Sequence, residues 1–234
     1  LDGQAEEWND DWALIDKRLQ KVGNWGKRRN VTRAAAGVHG DTLYLVWQTH
    51  DKNLLQSSGE SLNNLFKTGG ALDLHIATNP DADRTRRQPV EGDQRLLVTQ
   101  VDKQLTAVLY EPVAPNHEGP AIEFGSPLRT LRFDRVEVVS NRIRMARNTA
   151  RDLEADRDGN VERTTYEVAI PFEVLGFDPE PGRSYPFDVG ILRGDGSQTL
   201  QRCYWRNRSS GLVSDIPSEA ELIPALWGQL VVPE

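Results

Sequence analysis

The stretch Thr42-Leu43-Tyr44-Leu45-Val46-Trp47-Gln48-Thr49 decides the fold class. At period two, Leu43, Leu45 and Trp47 fall on one face and Tyr44, Val46 and Gln48 on the other, so both faces carry apolar or aromatic groups. Such a strand belongs in the middle of a sheet. A second stretch, Leu72-Asp73-Leu74-His75-Ile76-Ala77, alternates more cleanly: Leu72, Leu74 and Ile76 face one way, Asp73 and His75 the other. The face carrying a carboxylate and an imidazole is where chemistry is expected.

Outward from these two, the period-two pattern predicts strands over 95–101, 105–110, 135–139, 142–145, 164–170, 187–193, 200–205 and 228–232. Gly40-Asp41, Asp158-Gly159 and Gly194-Asp195-Gly196 supply hairpin turns between such runs. No long amphipathic helix links them. Helix is expected only over 11–18, over 172–175 after Pro171, and over 218–222 with Ser218 as cap. Three long polar stretches, 51–70, 79–94 and 111–134, lie between strands without the composition of linkers. The fold class is therefore all-β: an antiparallel β-sandwich, jelly-roll or immunoglobulin-like, with long loops and short helical pieces. Residues 1–234 read as one such domain. Trp47 is expected in the core, and Trp8 and Trp227 at the ends of the sandwich.

Composition bounds the function. The chain has 234 residues, 38% hydrophobic and 27% charged, enough to close a core. A formal charge of -7 gives nucleic acid or an anionic membrane no electrostatic attraction. Of the 28 basic residues 22 are Arg, a side chain whose planar fork suits carboxylates. Seven of these lie between Arg129 and Arg151, with only Asp134 and Glu137 as acids, so an acidic polysaccharide or a partner's carboxylates could dock there; an exposed, charge-protected sheet face is the other reading. The single Cys, Cys203, excludes an internal disulfide and Cys-based metal sites. No run approaches the roughly 18 apolar residues of a membrane span. The only Met is Met145, so the sequence is expected to be a piece of a longer protein with an export signal or other domains upstream.

Five motifs in chain order carry a family resemblance. Leu1-Asp2-Gly3-Gln4-Ala5-Glu6-Glu7-Trp8 resembles the opening of family 9 carbohydrate-binding modules and of the related haem-binding DOMON-type sandwiches. Leu43-Tyr44-Leu45 with His50-Asp51, the acidic strand Ala71 to Ile76, Tyr166-Glu167-Val168-Ala169-Ile170-Pro171, and Trp227-Gly228-Gln229-Leu230 are similar to the motifs that follow. The resemblance spans essentially the whole chain. It implies a twisted antiparallel sandwich with a ligand groove on one sheet face, acting as a noncatalytic accessory module of an exported, extracellular or periplasmic bacterial protein, with other domains of that protein as partners.

A sugar site needs flat aromatics for stacking and planar polar groups for hydroxyls. By the resemblance, the polar part falls on Asp51, Asp73 and Arg95, with His75 as neighbour and Gln201 as a polar substitute on the same face. The position of the first stacking ring falls near Phe66, and that of the second on Leu212 and Val213. Related modules carry structural calcium, for which Asp81 with Asp83, or Asp156, Asp158 and Asn160, offer oxygens; the metal ligands stay unassigned. Haem is the alternative ligand, with Met145, His39, His50, His75 and His117 as available axial groups. A structural spacer with no small ligand is the third reading. No nucleophile elbow or zinc-protease helix is present, so the chain does not read as an enzyme.

Overall fold

The computed structural model describes residues 1–8, 11–15, 32–152, 161–209 and 216–234. The expected Asp158-Gly159 turn, Leu212 and Val213, and the Asp156–Asn160 oxygens lie outside the described residues. Two antiparallel sheets face each other. The first has the order β1 (Ala13–Ile15), β2 (Thr32–His39), β3 (Thr42–Thr49), β11 (Glu162–Pro171), β10 (Arg144–Arg151). The second has the order β13 (Thr199–Tyr204), β12 (Ser184–Gly194), β4 (Ala71–Ala77), β5 (Asp93–Val101), β6 (Gln104–Glu111), β9 (Arg135–Val138), with β14 (Gly228–Val231) beside the first residues of β12.

The two-sided strand read from the sequence is β3, central in the first sheet between β2 and β11. Its inner residues meet their β11 partners in register: Leu43 opposite Ile170, Leu45 opposite Val168, Trp47 opposite Tyr166. Trp47 and Tyr166 are at most 1% exposed. Facing them across the sandwich are Leu72, Leu74 and Ile76 of β4, Leu96 and Val98 of β5, and Val189 and Ile191 of β12. Burying each such side chain contributes roughly 1.5–3 kcal/mol, which sets the pairing register of every central strand. The β5–β6 turn, Asp102-Lys103, has positive φ at both residues (49° and 66°), the two-residue hairpin geometry that matches strand twist.

The long polar stretches hold more structure than their composition implies. Residues 62–67 form a 3-10 turn, and 111–134 contains a two-stranded hairpin, β7 (Ile122–Gly125) with β8 (Thr130–Phe133). Together with the short helix α2 (Ile216–Ala220) they cover the outer face of the second sheet, where Leu65, Phe66, Phe124, Phe133, Ala220, Leu222 and Trp227 pack on Leu97, Val108, Tyr110 and Leu192. The second sheet is thus buried on both sides, its outer layer built from the short elements within the connecting segments.

Three expectations are corrected. Residues 13–15, read within a helix over 11–18, are a strand, because Ala13, Leu14 and Ile15 pair with Ala34, Arg33 and Thr32. Helix α2 begins at Ile216, so Ser218 lies inside it rather than capping it. Trp227 does not close the end of the sandwich but packs in the outer layer, tilted against the His75 ring. The other short helix, α1 (Phe172–Leu175), stops at Gly176 in the left-handed conformation (φ 56°).

Candidate functional site

Asp73 and His75 on β4, and Arg95 on β5, point to the same outer face, and β12 and β13 bring Asp188, Arg202 and Tyr204 beside them. Arg95 donates through Nε to Asp73 Oδ1 (3.1 Å) and through Nη2 to Asp73 Oδ2 (2.7 Å). The Tyr204 hydroxyl donates to the same carboxylate. Gly190 makes this possible: a Cβ there would run into the Tyr204 ring and sit 2.6 Å from Cys203 O.

Above this layer lies α2. Arg95 Nη1 donates to Glu219 O at 2.7 Å, Arg202 Nη1 to Ser218 O at 3.3 Å, and Lys67 Nζ to Glu219 Oε1 at 2.9 Å. Asp73, His75 and Arg95 are each at most 1% exposed as a result. Phe66 joins them, with the Arg95 guanidinium carbon 5.4 Å from its ring centroid, but its ring is buried against Tyr110 and Phe124. The groove expected on this face is therefore covered, and no half-exposed aromatic borders Asp73 and Arg95 among the described residues.

Asp51 and Gln201 are elsewhere. Gln201 has the parity of Cys203, on the inner side of β13, whereas Arg202 and Tyr204 share the face of Asp73. It accepts from Arg193 Nη1 (3.3 Å), and Arg193 also donates to Asp51 through Nε (2.9 Å) and Nη2 (2.7 Å). One arginine thus unites Asp51 and Gln201 at the sheet edge, apart from Asp73, Arg95, His75 and Phe66. Sequence reasoning did not pick out Arg202, Tyr204, Asp188 or Glu219 as parts of the layer; for the first three the available signal was their even numbering, opposite to the odd, core-facing Val189, Ile191 and Cys203, and for Glu219 no strand parity applies.

Electrostatics follow from the burial. Desolvation pushes the Asp73 carboxyl up, but the Arg95 charge and the hydrogen bonds beside it outweigh this and hold it below the usual carboxylate range. Desolvation lowers His75 to about 3, helped by Arg95 and Arg202 and opposed by Asp73. The imidazole is neutral at pH 7, so its 3.4 Å approach to Asp73 is not an ion pair there. It stacks on the Tyr204 ring with centroids 5.0 Å apart, and the Trp227 ring lies tilted against it at 5.3 Å. Both His75 ring nitrogens, Arg202 Nε, Glu219 Oε2 and Trp227 Nε1 lack a hydrogen-bond partner among the described residues. Such groups cost about 1–3 kcal/mol each when left unpaired, so this layer has unmet capacity for polar contacts.

Against cations, Asp83 spends itself on Thr85 and Asp81 on Arg183. Asp2, Glu7 and Glu167 bring one carboxylate oxygen each within 4.8 Å of one another, but Glu167 already accepts from Asp2 N, Gly3 N and Trp8 Nε1. Of the haem-type ligands, His50 bonds Asp152 (2.8 Å), and Met145 sits on β10 in the other sheet from His75. No helix among the described residues is long and apolar enough to cross a membrane.

Two sheets in this order, matched from end to end, can be compared with known structures. A family 9 carbohydrate-binding module from Caldicellulosiruptor kristjanssonii in complex with cellotriose superposes with a TM-score of 0.54 at 12% identity, over 100% of this chain and 88% of that one. The chain has a family 9 carbohydrate-binding-module-like fold. A family 9 module from the same organism in complex with glucose gives a TM-score of 0.53 at 12% identity, over 99% of this chain and 90% of that one. No protein-family model and no curated protein matches the chain. Within the module-like fold, the loop layer over Asp73 and Arg95 occupies the sheet face on which the resemblance placed a groove.

Proposed function

We propose that the chain is a noncatalytic carbohydrate-binding module, folded as one domain of an exported protein. The observation that carries this is the fold, matched along the whole chain by modules whose structures hold cellotriose and glucose. The polar layer supplies chemistry of the right kind: Arg95 and Arg202 donate, Asp73 and the Tyr204 hydroxyl accept, and Trp227 and Tyr204 offer ring faces. In the covered state two of the arginine donors are spent on the Glu219 and Ser218 carbonyls. Sugar hydroxyls can take the place of those carbonyls, and can also satisfy the unpaired atoms of His75, Arg202 and Trp227. The site is therefore assigned to Asp73, Arg95, Arg202 and Tyr204, entered by displacement of α2, with His75 and Phe66 supporting it. Asp51 and Gln201, held on Arg193, lie outside this set.

The test is calorimetric titration with glucose and cello-oligosaccharides, with amide exchange of 216–222 followed in parallel. The expected result is saturable binding, faster exchange across α2 on binding, and an affinity lowered about tenfold by Tyr204→Phe, which removes the hydroxyl and keeps the ring. Binding without either effect moves the site elsewhere on the module. Failure of every glycan to bind removes the carbohydrate reading and leaves the spacer.

A further inference from the structure

Two loop segments, strand β8 and the exit of α2 converge on a second, open feature. Residues 87–89, 112–113, 129–133 and 221–222 line a cleft of about 480 Å³, within the size range of small-molecule sites. Its floor is apolar, with Pro89, Pro112, Val113 and Leu131 over the buried Phe133 and Leu222. Its rim is basic: Arg87, Arg129 and Arg132 face one carboxylate, Glu221.

Charge decides what such a cleft takes. Arg129 already holds Glu221 through two donors, at 2.9 Å and 3.0 Å. Arg132 reaches Glu123, in a pair whose side chains are 73% and 54% exposed and which contributes little in water. Arg87 is exposed and has no hydrogen-bond or ion-pair partner among the described residues. The cleft is thus a local excess of positive charge on a chain of net charge -7, and its donors are guanidinium forks suited to a planar carboxylate. A neutral sugar would leave Arg87 unused, while the apolar floor matches the C–H faces of a pyranose ring better than it matches a peptide's charges.

We propose that this cleft is a binding subsite for an acidic saccharide, with the uronate carboxylate on Arg87 and Arg132 and the ring over Pro89, Pro112 and Leu131. The proposal rests on the carbohydrate-binding reading and adds to it a ligand class and a place separate from the Asp73–Arg95 layer.

The test titrates the whole chain with oligogalacturonate, with its neutral galacto-oligosaccharide counterpart and with a sulfated galacto-oligosaccharide. Oligogalacturonate is expected to bind at least tenfold more tightly than the neutral oligomer. Arg87→Gln is expected to abolish most of that preference, and Arg208→Gln, an exposed arginine outside the cleft, to leave it intact. Both substitutions are at the surface, and a thermal melt superimposable on that of the parent establishes folding. Equal affinity for neutral and acidic oligomers overturns the proposal while the module reading stands. So does equal weakening by the two variants, which marks diffuse charge attraction. Tighter binding of the sulfated oligomer overturns the carboxylate assignment. If neutral cello-oligosaccharides and oligogalacturonate both fail to bind, the proposal and the module reading fall together.

Discussion

The guanidinium of Arg95 lies fork-to-fork on the carboxylate of Asp73, with Nε–Oδ1 and Nη2–Oδ2 distances of 3.1 Å and 2.7 Å and almost no solvent at either group. Each ion is tolerated in the layer because the other is there. Arg95→Met therefore leaves a buried, uncompensated carboxylate and is expected to cost about 3–5 kcal/mol in urea unfolding. The double replacement Asp73→Leu with Arg95→Met removes both charges and is expected to recover part of that loss. A single-variant cost below about 1 kcal/mol would show that water reaches the pair.

Tyr204 reaches Asp73 only across the bare backbone of Gly190, which is paired with it in register. A methyl group at 190 meets the Tyr204 ring and the Cys203 carbonyl. Gly190→Ala is expected to destabilise the chain by about 1–3 kcal/mol, through overpacking and loss of the hydroxyl contact. Comparison with Tyr204→Phe, which removes the contact alone, separates the two: equal losses would mean that the glycine is not needed for space.

Glu167 fastens the first residues of the chain to the outer face of β11, accepting from Asp2 N and Gly3 N at 2.8 Å each and from Trp8 Nε1 at 3.3 Å. Glu167→Ala is expected to release this segment, with faster amide exchange at residues 2 and 3, a red-shifted Trp8 emission and early proteolytic nicking before residue 8. The sheets should persist, since the inner face of β11 is untouched. Unchanged exchange at residues 2 and 3 would show that other contacts hold the segment.

The strands of the sandwich were legible because their inner faces are continuous in the sequence: Leu43, Leu45 and Trp47, or Leu72, Leu74 and Ile76, announce themselves at period two. Strand β2 was not, since Ala34, Ala35, Ala36 and Gly37 have no alternation, and it is placed by pairing with β3. The β7–β8 hairpin was hidden for a related reason. Its four-residue strands each bury one Phe, and only the outer face of the second sheet makes that sufficient. Asp73 is legible from residue type and parity and Arg95 only through the family resemblance, yet nothing local reveals that α2, more than 120 residues later, closes over them. Gln201 lies on the inner side with Cys203 because two residues along a strand return to the same face, opposite that of Arg202 and Tyr204. Coverage is a tertiary property, and that is where the sequence reading of an open groove ended.

Two buried groups on neighbouring strands titrate in opposite senses. His75, opposite Asp188 across the β4–β12 pair, is lowered from 6.5 to about 3 by desolvation, with Arg95 and Arg202 acting in the same direction. Asp188 is raised to about 7 by desolvation, although Val189 N, Arg206 N and Asn207 N donate to it at 2.9, 3.0 and 2.7 Å. Between pH 6.5 and 3 the unfolded chain binds a proton at His75 that the folded chain refuses, so acidification destabilises. Between pH 7 and 3.8 the folded chain holds a proton on Asp188 that the unfolded chain releases, so acidification stabilises. From pH 6.5 to 4.5 the two contributions oppose each other. Relative to wild type, His75→Phe, which keeps a ring between Tyr204 and Trp227, is expected to gain stability as the pH falls across this window. Asp188→Asn is expected to lose it, each slope approaching at most about 1.4 kcal/mol per pH unit. Urea midpoints at pH 4.5, 5.5 and 6.5 measure both, and parallel profiles for the two variants and wild type would place neither titration in the covered layer.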